Sequence, residues 1–113
     1  MDPVVIHRLA DIAVTHEESP EEVTVAGAPS TGATSVIALE NLGVEVGVWE
    51  MSVGAVRDVE AEEAFLVLAG KATIETDGGT HEIGAGDLVR LEAGTKTIWT
   101  VTEPLRKLYV TGA

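Results

Sequence analysis

The stretch Ala72–Ile83, ATIETDGGTHEI, decides the fold class. Two short runs rich in threonine and isoleucine flank Asp77-Gly78-Gly79. An aspartate-glycine pair favours a tight hairpin, because both central positions of the preferred two-residue turn need a positive φ. The β-branched side chains on either side are common in strands. The stretch therefore predicts two antiparallel strands joined by a short turn.

Strand-type runs separated by turn residues continue on both sides of this hairpin. The predicted strands are Thr34–Asn41, Val44–Met51, Ala64–Leu68, Ala72–Thr76, Thr80–Ile83, Asp87–Leu91, Lys96–Thr102 and Leu105–Thr111. No segment keeps a helical period. Many short strands at nearly even spacing predict an all-β barrel or sandwich, because closure protects the strand edges. We expect about ten strands and no long helix.

Residues 1–33 are less regular and are predicted to form an N-terminal arm, with residues 34–113 as the barrel of a single domain. Val4-Val5-Ile6 could add a short strand. Ser19-Pro20-Glu21-Glu22 could form one helical turn, since serine is a favourable cap and proline suits the first helical position. A chain of 113 residues can bury one core without disulfides, and this chain has no cysteine.

The charge balance excludes some functions. Seven basic against nineteen acidic side chains give a net charge of −12. This charge would repel a phosphate backbone, so nucleic-acid binding is not expected. No stretch approaches the ~20 apolar residues that a membrane span needs, and Met1-Asp2-Pro3-Val4 lacks the basic region of a signal peptide. We expect a cytoplasmic protein with no membrane partner.

From Gly47 to the end, the chain resembles the small single-domain cupins related to ureidoglycine aminohydrolase and to the ethanolamine-utilisation cupin. The matching segments, in order, are Gly47–Glu50 (GVWE), Glu63–Gly70 (EAFLVLAG), Gly84–Asp87 (GAGD), Ala93-Gly94, Trp99–Pro104 (WTVTEP) and Arg106–Val110 (RKLYV). The resemblance covers about two thirds of the chain. It implies the double-stranded β-helix of cupins, a small jelly-roll-like barrel around one pocket.

Metal-binding cupins carry a first motif, G-x5-H-x-H-x3,4-E-x6-G, whose histidines and glutamate point into the barrel. Glu63 and Gly70 match its end. The two histidine positions, however, hold other residues: Arg57 and Val59, or, with the alternative spacing, Val56 and Asp58. The resemblance therefore leaves Glu63 as the one remaining ligand of this motif.

The second motif, G-x5-P-x-G-x2-H-x3-N, is also incomplete. Glu92 stands in the proline position, Thr97 in the histidine position and Val101 in the asparagine position. Asp58 or Glu60 could add oxygen ligands, but such a set favours a hard cation at modest affinity. We therefore expect no tightly bound transition metal and no cofactor, which also argues against the metal-dependent aminohydrolase activity of the family.

The resemblance places a mixed polar and aromatic set of residues in the pocket. The predicted substrate-binding residues are Arg57, Trp99, Lys107, Thr97 and Trp49, with Glu63 as general base and Tyr109 as acid if the protein is an enzyme. Lysine or arginine would pair with an anionic group, and tryptophan would form a flat wall. On the last strand, strict alternation would instead bury Leu108 and Val110.

The same residues also allow a purely structural interpretation. Glu63 would then pair with Lys107 or Arg57, because an inward carboxylate without a charge partner is expensive. His7 and His16 are expected to be exposed. His81 is expected to be a satisfied histidine beside a turn, with an inward position near a barrel mouth as the alternative, because it shares the face of Ile83.

Three function classes remain open. They are a metal-poor cupin that binds a small polar metabolite, a small-molecule hydrolase or isomerase that uses Glu63, and an assembly partner with a vestigial pocket. Both faces of Val44–Met51 look apolar enough to need cover, so we also expect a homodimer.

Overall fold

Antiparallel strands make up most of the chain, which the computed structural model describes from residue 2 to residue 113. The strands are β1 Glu17–Glu18, β2 Thr24–Ala26, β3 Ser30–Leu39, β4 Val44–Met51, β5 Gly54–Val59, β6 Glu63–Thr76, β7 Gly79–Gly84, β8 Leu88–Leu91 and β9 Lys96–Gly112. The helical segments of these residues are two 3-10 turns, Leu9–Asp11 and Glu40–Leu42. Within residues 2–113, no helix is long and apolar enough to cross a membrane. The all-β prediction is confirmed.

The two longest strands, β6 and β9, pair with each other and bend, so that each belongs to two layers of sheet. Layer A has the strand order β3-β4-β9-β6-β8, and layer B has the order β2-β5-β9-β6-β7. The layers face each other, since Trp99 of layer B packs against Phe65 and Trp49 of layer A. This curled arrangement of short antiparallel strands is the predicted jelly-roll barrel.

Two pairs of predicted strands are in fact continuous. The predicted runs at 64–68 and 72–76 join as β6, with irregular register around Gly70. Gly70 adopts a φ of +92°, and a Cβ there would overlap the carbonyl oxygen of Pro104 on β9. Glycine thus allows the strand to bend without ending. The runs predicted at 96–102 and 105–111 are likewise parts of one continuous strand, which is β9.

Other differences from the prediction lie near the N terminus and in β5. Strand β3 begins at Ser30, four residues before the predicted start at Thr34. Strand β5 was not predicted, because exposed polar residues fill its second half. Val4–Ile6 form no strand and are exposed. The turn predicted at Ser19–Glu22 is present, with the amides of Val23 and Thr24 donating to the Pro20 carbonyl.

The N-terminal arm lies against the outer face of layer A. The Arg106 guanidinium on β9 donates to the carbonyls of Leu9 and Ile12 at 2.7 and 2.9 Å, and to Glu50 on β4 at 2.6 Å. Thr34 on β3 donates to the Ala13 carbonyl. The arm thereby covers part of the outer face that the sequence left without a partner.

An apolar core fills one end of the space between the layers. The side chains of Phe65, Val67, Met51, Val101 and Leu105 are almost fully buried there. Four inward-facing residues with polar groups, Glu63, Thr97, Lys107 and Tyr109, lie toward the other end, which we call the polar end. The polar end therefore holds the candidate site.

Candidate functional site

Lys107 is the most buried charged residue of the polar end. Only 4% of it is exposed, and its Nζ donates to Glu63 Oε2 at 3.0 Å. The same Nζ lies 4.2–4.8 Å from the ring centroids of Trp49, Phe65 and Trp99. We call these three rings and the Glu63 carboxylate the lysine cage. Each of these four groups attracts a cation, so together they stabilise the charged ammonium.

The protonation of Lys107 reflects two opposing effects. Burial lowers the pKa of Lys107, because a charged ammonium loses its hydration. Attraction by the Glu63, Glu60 and Asp58 carboxylates raises it, but only in part. The pair with Glu63 therefore keeps a charge in the interior that would otherwise be costly.

Glu60 holds two side chains at the start of β9 in place by hydrogen bonds. It lies in the turn between β5 and β6, and its Oε2 accepts hydrogen bonds from Thr97 Oγ1 at 2.8 Å and Trp99 Nε1 at 2.9 Å. Thr97, at the position where metal cupins carry a histidine, is therefore a partner of Glu60. One signal in the sequence could have pointed to such a partner: Thr97 and Trp99 are hydrogen-bond donors two residues apart on an inward face.

Asp58 carries a second carboxylate beside Glu60. It lies opposite Thr97 in the β5–β9 ladder, so the two side chains share a face. Partial burial and the neighbouring Glu60 raise the pKa of Asp58 above its ordinary value of 3.8. The two acidic groups thus repel each other, and a cation near them would relieve that repulsion.

Tyr109 closes the site on the β4 side. Its hydroxyl donates to Glu45 Oε1 at 3.2 Å. Gly47 lies opposite Tyr109 in the ladder, and a Cβ at this glycine would overlap the hydroxyl. Glycine is therefore the residue that lets the phenol ring lie across β4. Burial and the Glu45 partner raise the pKa of Tyr109, so the phenol keeps its proton.

The structure brings most of the predicted site residues together at the polar end: Glu63, Lys107, Tyr109, Trp99, Thr97 and Trp49. Lys107 and Tyr109 are buried whereas Val110 is 38% exposed, so the placement implied by the resemblance holds rather than the one from alternation. Trp49 faces inward against Trp99.

Arg57 requires a correction, because it does not line this site. It is exposed, lies opposite Ile98 on the outer face of layer B, and reaches the Glu22 carbonyl at 3.5 Å. Of the two partners expected for Glu63, Lys107 therefore forms the ion pair and Arg57 does not. Asp58, although largely exposed, lies on the inward face of β5 with Val56, and Arg57 lies on the other face, since neighbouring residues of a strand face opposite sides.

The donor set does not suit a transition metal. Glu63 is bound to Lys107, and Thr97 is bound to Glu60. Among residues 2–113, no three histidine, aspartate or glutamate side chains come together in a metal-binding cluster. Zinc, manganese and iron prefer imidazole or thiolate nitrogen and sulfur, or a complete carboxylate set, and the polar end provides none of these.

The histidines lie away from the lysine cage. His81 is exposed at an open cleft of about 610 Å³, beside the core residues Ile74 and Ile83. His16 lies on the outer face, where its ring bonds with Ser30 and Glu50 at 2.8 Å, and His7 is exposed.

Comparison with known structures identifies the fold. EutQ of Clostridium difficile superimposes with a TM-score of 0.73 and 21% identity, covering 93% of this chain and 83% of that one. Ectoine synthase from P. lautus gives a TM-score of 0.69 at 17% identity, with 96% and 78% of the chains covered. The cupin domain of Schizosaccharomyces pombe Cnp3 gives 0.70 at 15% identity, covering 96% and 74%. Identities this low establish the fold alone.

A sequence-family comparison goes further than these structural likenesses. No curated protein sequence matches the chain. The family model for the EutQ-like cupin domain, however, matches residues 40–109, which include Lys107 and all the residues of the lysine cage. This match spans more than half of the chain and agrees with the segments that carried the resemblance. The chain belongs to the EutQ-like cupin family.

Proposed function

We propose that this protein binds a small, positively charged polar metabolite at the polar end of its barrel, without a conventional cupin metal. The observation that carries the proposal is the excess of inward carboxylates over cations. Glu45, Asp58, Glu60 and Glu63 all contribute to this end, and Lys107 is the cation that faces them. Since Glu63 already pairs with Lys107, the remaining acidic groups favour an amine or amidine ligand over the small carboxylate suggested by the sequence.

The aromatic walls support the same ligand class. Trp49 is only partly buried, and its accessible surface lines an open cleft together with Glu17 and Glu18 of β1. A ligand cation gains from an aromatic face as well as from a carboxylate.

This proposal predicts a charge-dependent response in a thermal-shift screen. Cationic metabolites should raise the melting temperature by mass action, whereas anionic compounds of equal size should not. Asp58→Asn should weaken the binding of the best cation roughly tenfold, because a charge-assisted bond is lost. Glu75→Gln is the matched control, since Glu75 is exposed on the outer face opposite Ile98. Equal loss in both variants would refute the proposed site.

The pH dependence of binding provides a further check on Asp58. Because the pKa of Asp58 is raised, its carboxyl takes up a proton sooner than an ordinary aspartate as the pH falls. Cation binding should therefore weaken as the pH drops through that raised value, and the weakening should be absent in Asp58→Asn.

We further propose that the protein is a homodimer that pairs through the outer face of layer A. Apolar side chains line this face in adjacent ladder positions: Val46, Val110 and Ala64 in one row, Leu108, Leu66 and Leu88 in the next. Leu88 is 77% exposed. A second copy suits this face because its rows are apolar apart from Arg90, which lies opposite Ala64, whereas the chain as a whole has a net charge of −12 that repels its own copies elsewhere.

A charge placed in this face should separate the dimer. We expect Leu88→Asp to convert the protein to a monomer in light scattering at micromolar concentration, since a dimer interface of ~1,200–2,000 Å² does not tolerate a buried unpaired charge. Val59→Asp is the control, because Val59 is also well exposed, at 62%, but belongs to β5 in layer B. A monomer mass for the unchanged protein would contradict the proposal.

A small-molecule hydrolase or isomerase is the second candidate function. The observation in its favour is that Glu63 and Tyr109 lie on neighbouring strands with the phenol protonated, as a general acid requires. The best cation from the screen should then be consumed over time, which NMR would detect. Glu63→Gln and Tyr109→Phe should each stop that conversion.

A further inference from the structure

The lysine cage is built from groups that recognise a positive charge. Trp49 and Phe65 present their rings to Nζ at 4.7 and 4.2 Å, and Trp99 does so at 4.8 Å. Glu63 adds a carboxylate oxygen at 3.0 Å. Aromatic faces attract cations through their negative quadrupole, and cages of this type bind organic ammonium ions.

The walls of the cage do not depend on the lysine stem for their positions. Trp49 lies in the middle of β4, which pairs on both sides with β3 and β9. The Trp99 indole is fixed by its hydrogen bond to Glu60. Glu63 and Phe65 lie on β6, which pairs with both β8 and β9 at these residues. Shortening the Lys107 side chain would therefore leave the cage walls standing around an empty space.

We propose that this cage is a binding site for an alkylammonium ion, which the intact chain fills with its own Lys107 side chain. The lysine acts as a covalently attached ligand, and its ammonium neutralises Glu63 in the interior. The proposal concerns the space that the Lys107 side chain fills, and it does not depend on the metabolite proposed above.

The test uses Lys107→Ala with n-propylammonium. The substitution removes three methylene groups and the ammonium, which n-propylammonium replaces group for group. At about ten times its dissociation constant, the amine should raise the melting temperature of Lys107→Ala by roughly 4–8 °C. The uncharged isostere 1-propanol, at equal concentration and ionic strength, should change it little.

Two further proteins make the result specific. The unchanged protein should show no such shift, because Lys107 occupies the cage. The double variant Lys107→Ala/Glu63→Gln should lose most of the preference for the amine over the alcohol, because the carboxylate is gone. If Lys107→Ala does not fold alone, the readout becomes the folded fraction by circular dichroism, which the amine should restore and the alcohol should not.

Three results would overturn the proposal. Equal stabilisation by amine and alcohol would show an ordinary apolar cavity. An equal shift in the unchanged protein would place the amine elsewhere. No stabilisation or refolding of Lys107→Ala by the amine would show that the cage does not bind an alkylammonium ion.

Discussion

Replacing Glu63 by alanine is expected to lower the free energy of unfolding by about 3–5 kcal/mol, the range for breaking a buried ion pair from one side. The Lys107 ammonium would remain in the interior without its hydrogen-bond acceptor, since only 6% of its side chain is exposed. The aromatic rings of the cage would offset part of this loss. Urea unfolding followed by tryptophan fluorescence measures the change.

Glu103→Ala is the matched control for this experiment. Glu103 also faces a lysine, Lys71, but at 4.0 Å and with both side chains more than half exposed. Its loss should cost less than about 1 kcal/mol. If Glu63→Ala is neutral for stability but abolishes binding, Glu63 acts on the ligand. If it changes neither, the assignment of the site is wrong.

Arg106→Ala is expected to have the second largest effect, about 3 kcal/mol. The substitution removes the donor to Glu50 and to two carbonyls of the arm, in a place where only 20% of the guanidinium side chain is exposed. Hydrogen bonds to charged groups contribute about 1.5–3 kcal/mol each, and the freed carbonyls can recover water. The arm should then detach, which limited proteolysis within residues 2–16 would reveal before global unfolding.

Arg90→Ala is the control that separates the stability cost of losing Arg106 from the cost of losing an exposed arginine. Arg90 contacts the two carboxylates of Glu62 and Glu92, but all three side chains are at least 64% exposed. Its removal should change stability by less than about 1 kcal/mol. Similar costs for the two arginine variants would contradict the role assigned to Arg106.

The Glu50 carboxylate gives the arm contact a defined pH dependence. Burial raises the pKa of Glu50, but the hydrogen bonds with His16 and Arg106 outweigh it and hold the pKa below the ordinary 4.5. Its contribution to stability is therefore present above pH 4.5 and is lost as the pH falls through the lowered value. In Arg106→Ala this acid-dependent loss should be smaller.

The sequence predicted the fold well because strand signals are local. Strand β4 has the predicted limits, and a hairpin at Asp77-Gly78 joins β6 to β7 as expected, but neither of these two residues has the positive φ predicted for its turn. The joined strands were missed because Gly70, a strong turn signal, instead bends a continuous strand. Whether a glycine ends or bends a strand depends on the neighbour across the ladder, here Pro104, which no local pattern reveals.

The site was predicted only in part for a similar reason. Glu63 and Lys107 could be placed from the resemblance, since both lie in segments that match it. Glu60 could not be assigned its role, because it lies in a turn where neither alternation nor a motif fixes the direction of a side chain. Arg57 was misplaced because its register depended on a gap in the motif, and a shift of one residue reverses the face.

The sharing of β6 and β9 between the two layers determines how the protein can open. Each layer contains one half of both strands, so neither layer can separate without breaking the central ladder. The amides of β6 and β9 should therefore exchange with solvent only when the whole barrel unfolds, as one cooperative unit. Partial opening is left to the short edge strands β1, β2, β7 and β8. Breathing at these edges, and not hinge motion between the layers, is then the motion that we expect to give access to the polar end.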